Sequence, residues 1–164
     1  MNQAAARSTS GPIELDELDQ GIIELLRQDG RMPFRTIARE LDITEATVRT
    51  RVRRLEESNT MRVVAVTDIE AAGFGMLLAV GVQVENRAPE AVARDMAQLQ
   101  QVFSVNVVVG THDIEILVVA SDQADLDHLL SETLVAIPGV RRLTPALAVD
   151  VLKNQPDWVP FHDA

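Results

Sequence analysis

The stretch TEATVRTRVRRLEES, residues 44–58, decides how the N-terminal half of this chain folds. Thr44 is a good helix N-cap, and Glu45 favours the positive end of the helix that follows. With Val48, Val52 and Leu55 turned to a core, a rotation of about 100° per residue points Ala46, Thr50, Arg53 and Glu57 directly outward. Thr47, Arg49 and Arg54 then lie on the flanks. A helix fits the B-DNA major groove, its N-terminal half against base edges. Ala46, Thr47 and Thr50 are small enough for close approach. Arg53 or Arg49 is placed for guanine or a phosphate, and Arg54 for a phosphate. Arg51 lies only about 60° from the core stripe. It is expected to be structural, its stem packed and its head paired with an acid such as Glu40. The bland reading is a solvated amphipathic helix, so the neighbouring segments decide between the two.

Upstream, Asp16 can cap a helix to about Gln28, with the apolar stripe Leu15, Leu18, Ile22, Leu25 and Leu26 at helical spacing; Asp29-Gly30 ends it. A short helix follows over about residues 33–41, opened by Pro33 and turned inward at Phe34, Ile37, Ala38 and Leu41. Asp42-Ile43 form a tight turn into the third helix, and Asn59 suits a left-handed C-cap after it. Three helices with a tight turn before the arginine-rich one favour the DNA-facing reading.

Downstream the pattern becomes β-rich. Residues 61–67 read as a strand, and the small residues at 71–75 as a joint. Then come a strand at residues 76–85, a helix opened by Pro89 with Val92, Met96 and Leu99 inward, and strands at 103–109 and 114–120 joined by Gly110-Thr111-His112-Asp113. A helix over about 122–136 carries Leu126, Leu129, Leu130 and Leu134. Pro138-Gly139 then turns into a last strand at 142–152. The order βαββαβ is the split ferredoxin-like arrangement. Pro145 suits the edge position that the fourth strand has in this topology.

The 164 residues are 46% hydrophobic but only 3% aromatic, with one Trp and no Tyr, so the core must be aliphatic. No Cys is present, which excludes disulfides, thiolate zinc sites and cysteine nucleophiles. No signal-peptide h-region or apolar run of membrane-spanning length is visible, and a soluble cytoplasmic protein is expected. The net charge of −10 looks wrong for a DNA binder, but it is unevenly spread. Residues 13–62 hold 9 Arg and 11 acids, whereas residues 63–164 hold 4 Arg, one Lys and 14 acids. The basic footprint is local, and the acidic remainder would help to orient the molecule on a duplex.

The strings LDELDQGIIELLRQDGRMPFRTIARELDIT, TVRTRVRRLEES, VVVGTHDIEILVVA and LSETLVAIPGVRRL, in this order and spacing, make residues 13–158 resemble the Lrp/AsnC (feast/famine) family of transcriptional regulators. The resemblance implies an α+β chain. Its parts would be a winged helix-turn-helix DNA-binding domain at 13–60, a linking strand and hinge at 61–75, and a ferredoxin-like βαββαβ (RAM/ACT-like) effector domain at 76–153. Residues 1–12 would be a disordered tail and 154–164 a C-terminal tail that matches no motif. It further implies a bacterial or archaeal, nucleoid-associated protein, dimeric through its sheet and assembling to a tetramer or octamer. Asn59 departs from the family's usual Gly at that turn, but Asn tolerates the same conformation.

The resemblance also places a small effector, often an amino acid, near the turn that matches Gly110, Thr111, His112 and Asp113. Gly110 would let backbone amides approach a carboxylate, and Asp113 would accept from an α-ammonium. The same four residues are equally ordinary in a hairpin turn. Ser104 and Asn106 alternate on one strand face and fit either that pocket or an interface. No cofactor or metal is expected. His112, His128 and His162 lack metal-ligand spacing, which also weakens the rival reading as a siroheme-decarboxylase-like enzyme. The remaining rival is a ligand-binding or scaffolding protein that reads no DNA.

Overall fold

The computed structural model describes residues 14–153. The two expected tails, with Trp158 and Phe161, lie outside these residues. Among them the chain forms two compact units, residues 14–66 and 67–153.

The first unit is three helices: α1 (Glu17–Gln28), α2 (Phe34–Glu40) and α3 (Glu45–Glu57). Asp16 caps α1, as its position suggests, within a reciprocal capping box completed by Asp19. Asp42 makes the α2–α3 turn possible by adopting a φ of 52°, which Asp tolerates because its short polar side chain bonds locally. Ile43 N–H then donates back to Ala38 O. Thr44 Oγ1 accepts from Thr47 N–H at 3.1 Å and so starts α3. Asn59 has a φ of 55°, in the left-handed conformation that ends the helix. Ile22, Ile23, Leu26, Ile37, Ala38, Val48, Val52, Leu55 and Met61 make one aliphatic core.

The strand expected at residues 61–67 is not formed. Beyond Met61 this segment has no regular structure, and Val63, Val64 and Val66 are exposed. A strand exists only with a backbone beside it, and the single chain supplies none here. Its β-branched residues carry the pattern without the partner, and the strand that would make a wing is missing for the same reason.

The second unit runs β1 (Met76–Val84), α4 (Pro89–Met96), β2 (Val102–Val107), β3 (Ile114–Ala120), α5 (Gln123–His128) and β4 (Val140–Leu147). The antiparallel sheet has the order β2-β3-β1-β4. β4 is thus an edge, and Pro145 sits opposite Val80 without having to donate to a fifth strand. Leu78, Val80 and Val82 of β1, and Ile114, Ile116 and Val118 of β3, point to the helices and are buried with Val92, Met96, Leu126 and Leu134. The other face of the sheet carries Ala79, Gly81, Leu117 and Ala146.

Two elements differ from the periodicity. The helix expected over residues 122–136 passes after α5 into a π-helical turn, Leu129–Leu134. Leu129 and Leu134 are both fully buried. Residues five apart diverge by about 140° on an α-helix, and the wider i→i+5 turn brings them to one side. β4 begins and ends earlier than expected, leaving Val149, Val151 and Leu152 exposed. In β2 the register slips at Phe103, which is left exposed, and Ser104 and Asn106 then fall on the helix-free face beside Leu117 and Glu115.

Candidate nucleic-acid interface

α3 buries Val48, Val52 and Leu55 and nothing else, so its apolar stripe is narrow and the remaining surface is available. Ala46, Thr47, Thr50, Arg51 and Arg54 line one open cavity of about 470 Å³ along a flank of the helix. Four of the six candidate DNA-binding residues are thereby brought together. Thr50 Oγ1 is satisfied by Ala46 O, and the Thr44 and Thr47 hydroxyls bond each other at 2.8 Å.

Arg49 and Arg53 do not line this cavity. Arg49 donates to Glu45 at 2.8 Å and its guanidinium lies 5.4 Å from the centre of the Phe34 ring. Arg53 Nε donates to Glu57 at 2.7 Å, and that bond raises its pKa. Both side chains are well exposed, at 65% and 79%. Such exposed i,i+4 pairs are weak because solvent screens them, so a phosphate can displace the glutamates.

Arg51 is structural, as expected, but Glu40 is not its partner; Glu40 pairs with Arg39. Arg51 Nη1 donates to both carboxylate oxygens of Asp16, at 2.7 and 2.6 Å, and to Asp19 Oδ1 at 3.0 Å. The reason is helix packing: the start of α1, not the end of α2, lies against this part of α3. Arg54 Nη2 donates to Asp19 Oδ2, while the Arg54 side chain stays 46% exposed. The Arg51 hydrogen bond, helped by the Asp19 N–H, holds the Asp16 carboxyl below the usual carboxylate range. Every arginine of α3 therefore has a carboxylate partner.

Asp19 was legible only in hindsight. It falls four residues after Leu15 and three before Ile22, on the apolar stripe of α1, and an acid on a buried stripe requires a cation to pair with it.

In the second unit, the expected effector residues lie along the β2–β3 turn. Gly110 is exposed, with open space where a side chain would be. Thr111 O accepts from Gln83 Nε2 at 3.3 Å. The His112 ring lies against Gly81, so close that a Cβ there would come within 2.4 Å of it, and its Nδ1 is 3.9 Å from Glu115. Asp113 Oδ2 accepts from Val84 N–H at 2.8 Å, and its backbone joins Val82 and Val108. In the single chain, Asp113 fastens the turn to β1 rather than standing free. Ser104 Oγ accepts from Asn106 Nδ2 at 3.2 Å.

No helix among the described residues is long and apolar enough to cross a membrane. No group of three or more His, Asp or Glu side chains among them is arranged to hold a metal ion.

Comparison with known proteins agrees with this division. Residues 15–56 match the AsnC-type helix-turn-helix domain and residues 78–158 the Lrp/AsnC ligand binding domain. An uncharacterized HTH-type transcriptional regulator of Pyrococcus horikoshii is 31% identical over 145 residues, 88% of this chain and 92% of that one. The HTH-type transcriptional regulator LrpA of the same organism is 31% identical over 85% of this chain and 99% of its own. The fold is that of E. coli AsnC (TM-score 0.80, 17% identity, 87% and 97% of the two chains). It is also that of a Neisseria meningitidis transcriptional regulator solved as an L-Met complex (TM-score 0.81, 19% identity, 89% and 97%). With its helix-turn-helix unit, its ligand-binding unit and relatives that are regulators rather than enzymes, the chain belongs to the Lrp/AsnC family of transcriptional regulators.

Proposed function

We propose that the protein reads double-stranded DNA with α3 in the major groove. Ala46, Thr47 and Thr50 approach base edges, and Arg49, Arg53 and Arg54 take phosphates or a guanine. The observation that carries this is the cavity beside α3, where small side chains and two arginines converge. One helix in one groove gives too little specificity for a genome, so a homodimer presents two about a helical turn apart on a roughly palindromic operator. The helix-free face of the sheet, with Ala79 and Ala146 in the open, is where the second copy packs. Higher assemblies, tetramer or octamer, would bridge several sites by effective concentration.

A small effector such as an amino acid acts at the turn of Gly110, Thr111, His112 and Asp113 by favouring one assembly over another. Equal affinity for both assemblies would shift nothing. The L-Met bound to the Neisseria relative supports this class of ligand. Asp113 would meet an α-ammonium chiefly through Oδ1, since Oδ2 already accepts from Val84 N–H.

Because all four α3 arginines are paired, a ligand-binding assembly that reads no DNA is the reading to beat. Changing Arg49, Arg53 and Arg54 together to Ala should flatten the salt dependence of duplex binding by about 0.9 per lost phosphate contact. An unaltered slope and affinity would end the DNA reading. For the effector, a thermal-shift series with the amino acids should show one that raises Tm, since a ligand of the native state must stabilise it. Unchanged Tm and unchanged light-scattering mass with all of them would remove it.

A further inference from the structure

Asp19 is the one buried charged side chain among the described residues. Burying a carboxylate is costly unless it is paired, and helix capping does not require it. Asp16 alone satisfies the Asp19 N–H, at 2.8 Å. The reciprocal bond from Asp16 N–H to Asp19 is long, 3.3 Å, and an exposed side chain could accept it. Nor does Arg51 depend on Asp19, because both oxygens of Asp16 already hold it. What Asp19 alone supplies is a fixed partner for Arg54.

Arg54 lines the α3 cavity with Thr47 and Thr50. Its Nη2 is committed to Asp19, which leaves Nε and Nη1 on a half-exposed guanidinium. We propose that Asp19 is a positioning residue for DNA binding: it holds Arg54 at the rim of the cavity, already ordered, to receive a backbone phosphate. The inference rests on the DNA reading above. A rotamer-rich arginine that is ordered before binding avoids the entropy of being fixed in the complex, an advantage of roughly three- to tenfold in affinity. The opposing effect is the negative charge of Asp19 itself, which would repel a phosphate. Arg51 and Arg54 balance Asp16 and Asp19 in charge, so the cluster as a whole does not repel a phosphate, and at contact distance the exposed edge of Arg54 is what a phosphate meets.

Phosphate contacts are independent of sequence, so a mixed duplex of about 30 base pairs serves as the probe. Its affinity is measured over a salt series for the full chain and for Asp19→Asn, Arg54→Gln and the double variant. Arg54→Gln should weaken binding and lower the salt slope by about one. Asp19→Asn should weaken it roughly three- to tenfold and add nothing on top of Arg54→Gln, as expected of residues that act as one unit. An equal Asp19→Asn loss in both backgrounds, or a gain in affinity, overturns the positioning role while leaving DNA binding intact. A wild-type protein with no salt-dependent binding overturns both. Should Asp19→Asn fail to fold, guanidinium NMR of the wild type decides. Arg54 must show restricted rotation before and after duplex is added; free rotation in either state overturns the proposal.

Discussion

Gly81 has room for no side chain, and His112 is the reason. The imidazole lies on the backbone of β1 where a Cβ would come within 2.4–2.5 Å of three ring atoms. Gly81 does not have a positive φ, so alanine is excluded by this contact and not by backbone strain. Gly81→Ala should therefore destabilise the second unit by about 1–3 kcal/mol, the usual cost of overpacking. His112→Ala added to it should recover most of that loss in urea unfolding. A double variant as unstable as the single one would mean that the glycine is needed for another reason. The same contact bears on effector binding, because any ligand that engages His112 must do so at a ring already fixed against the strand.

Among the elements, the join between α1 and α3 has the clearest consequence. Asp16 caps one helix and clamps an arginine of the other. Its folded-state pKa is depressed, so its contribution to stability is full above the unfolded carboxylate value and is lost as pH falls through the lower folded value. Asp16→Asn keeps a competent cap and removes the charge. The wild type should be the more stable near neutral pH, and the two should converge once the pH has fallen through the lowered folded value, where the carboxylate is protonated in both states. Chemical denaturation across that range checks it; a gap independent of pH would assign the effect to packing.

For the whole molecule, the question is what covers the helix-free face of the sheet. Leu117 of β3 is half-buried there beside Ala79 of β1, and Ala146 of β4, the other neighbour of Ala79, is exposed. If a second copy packs on this face, Leu117→Arg places an unpaired charge in that interface. Light scattering should then report a monomer. Duplex affinity should fall by about a hundredfold or more, because the second recognition helix no longer benefits from effective concentration. An unchanged mass would refute assembly through the sheet. The unformed strand at 61–67 raises the same issue, since β-branched residues that lack a partner within the chain are left exposed.

Local chemistry in the sequence determined much of this protein. The caps at Asp16 and Thr44, the left-handed Asn59, the aliphatic periods of α1 to α3, and the edge position of Pro145 follow from preferences that act over a few residues. The resemblance of four motifs to one family carried the function further than the residues alone. Tertiary structure decided the rest, because it depends on which distant groups meet. Only the packing of α1 against α3 gives Arg51 and Arg54 to Asp16 and Asp19, 32 to 35 residues away. Only the sheet brings His112 onto Gly81, and only a helix that must bury Leu129 and Leu134 together widens into a π turn. A periodic pattern names the face that will be buried; it does not name what will lie against it.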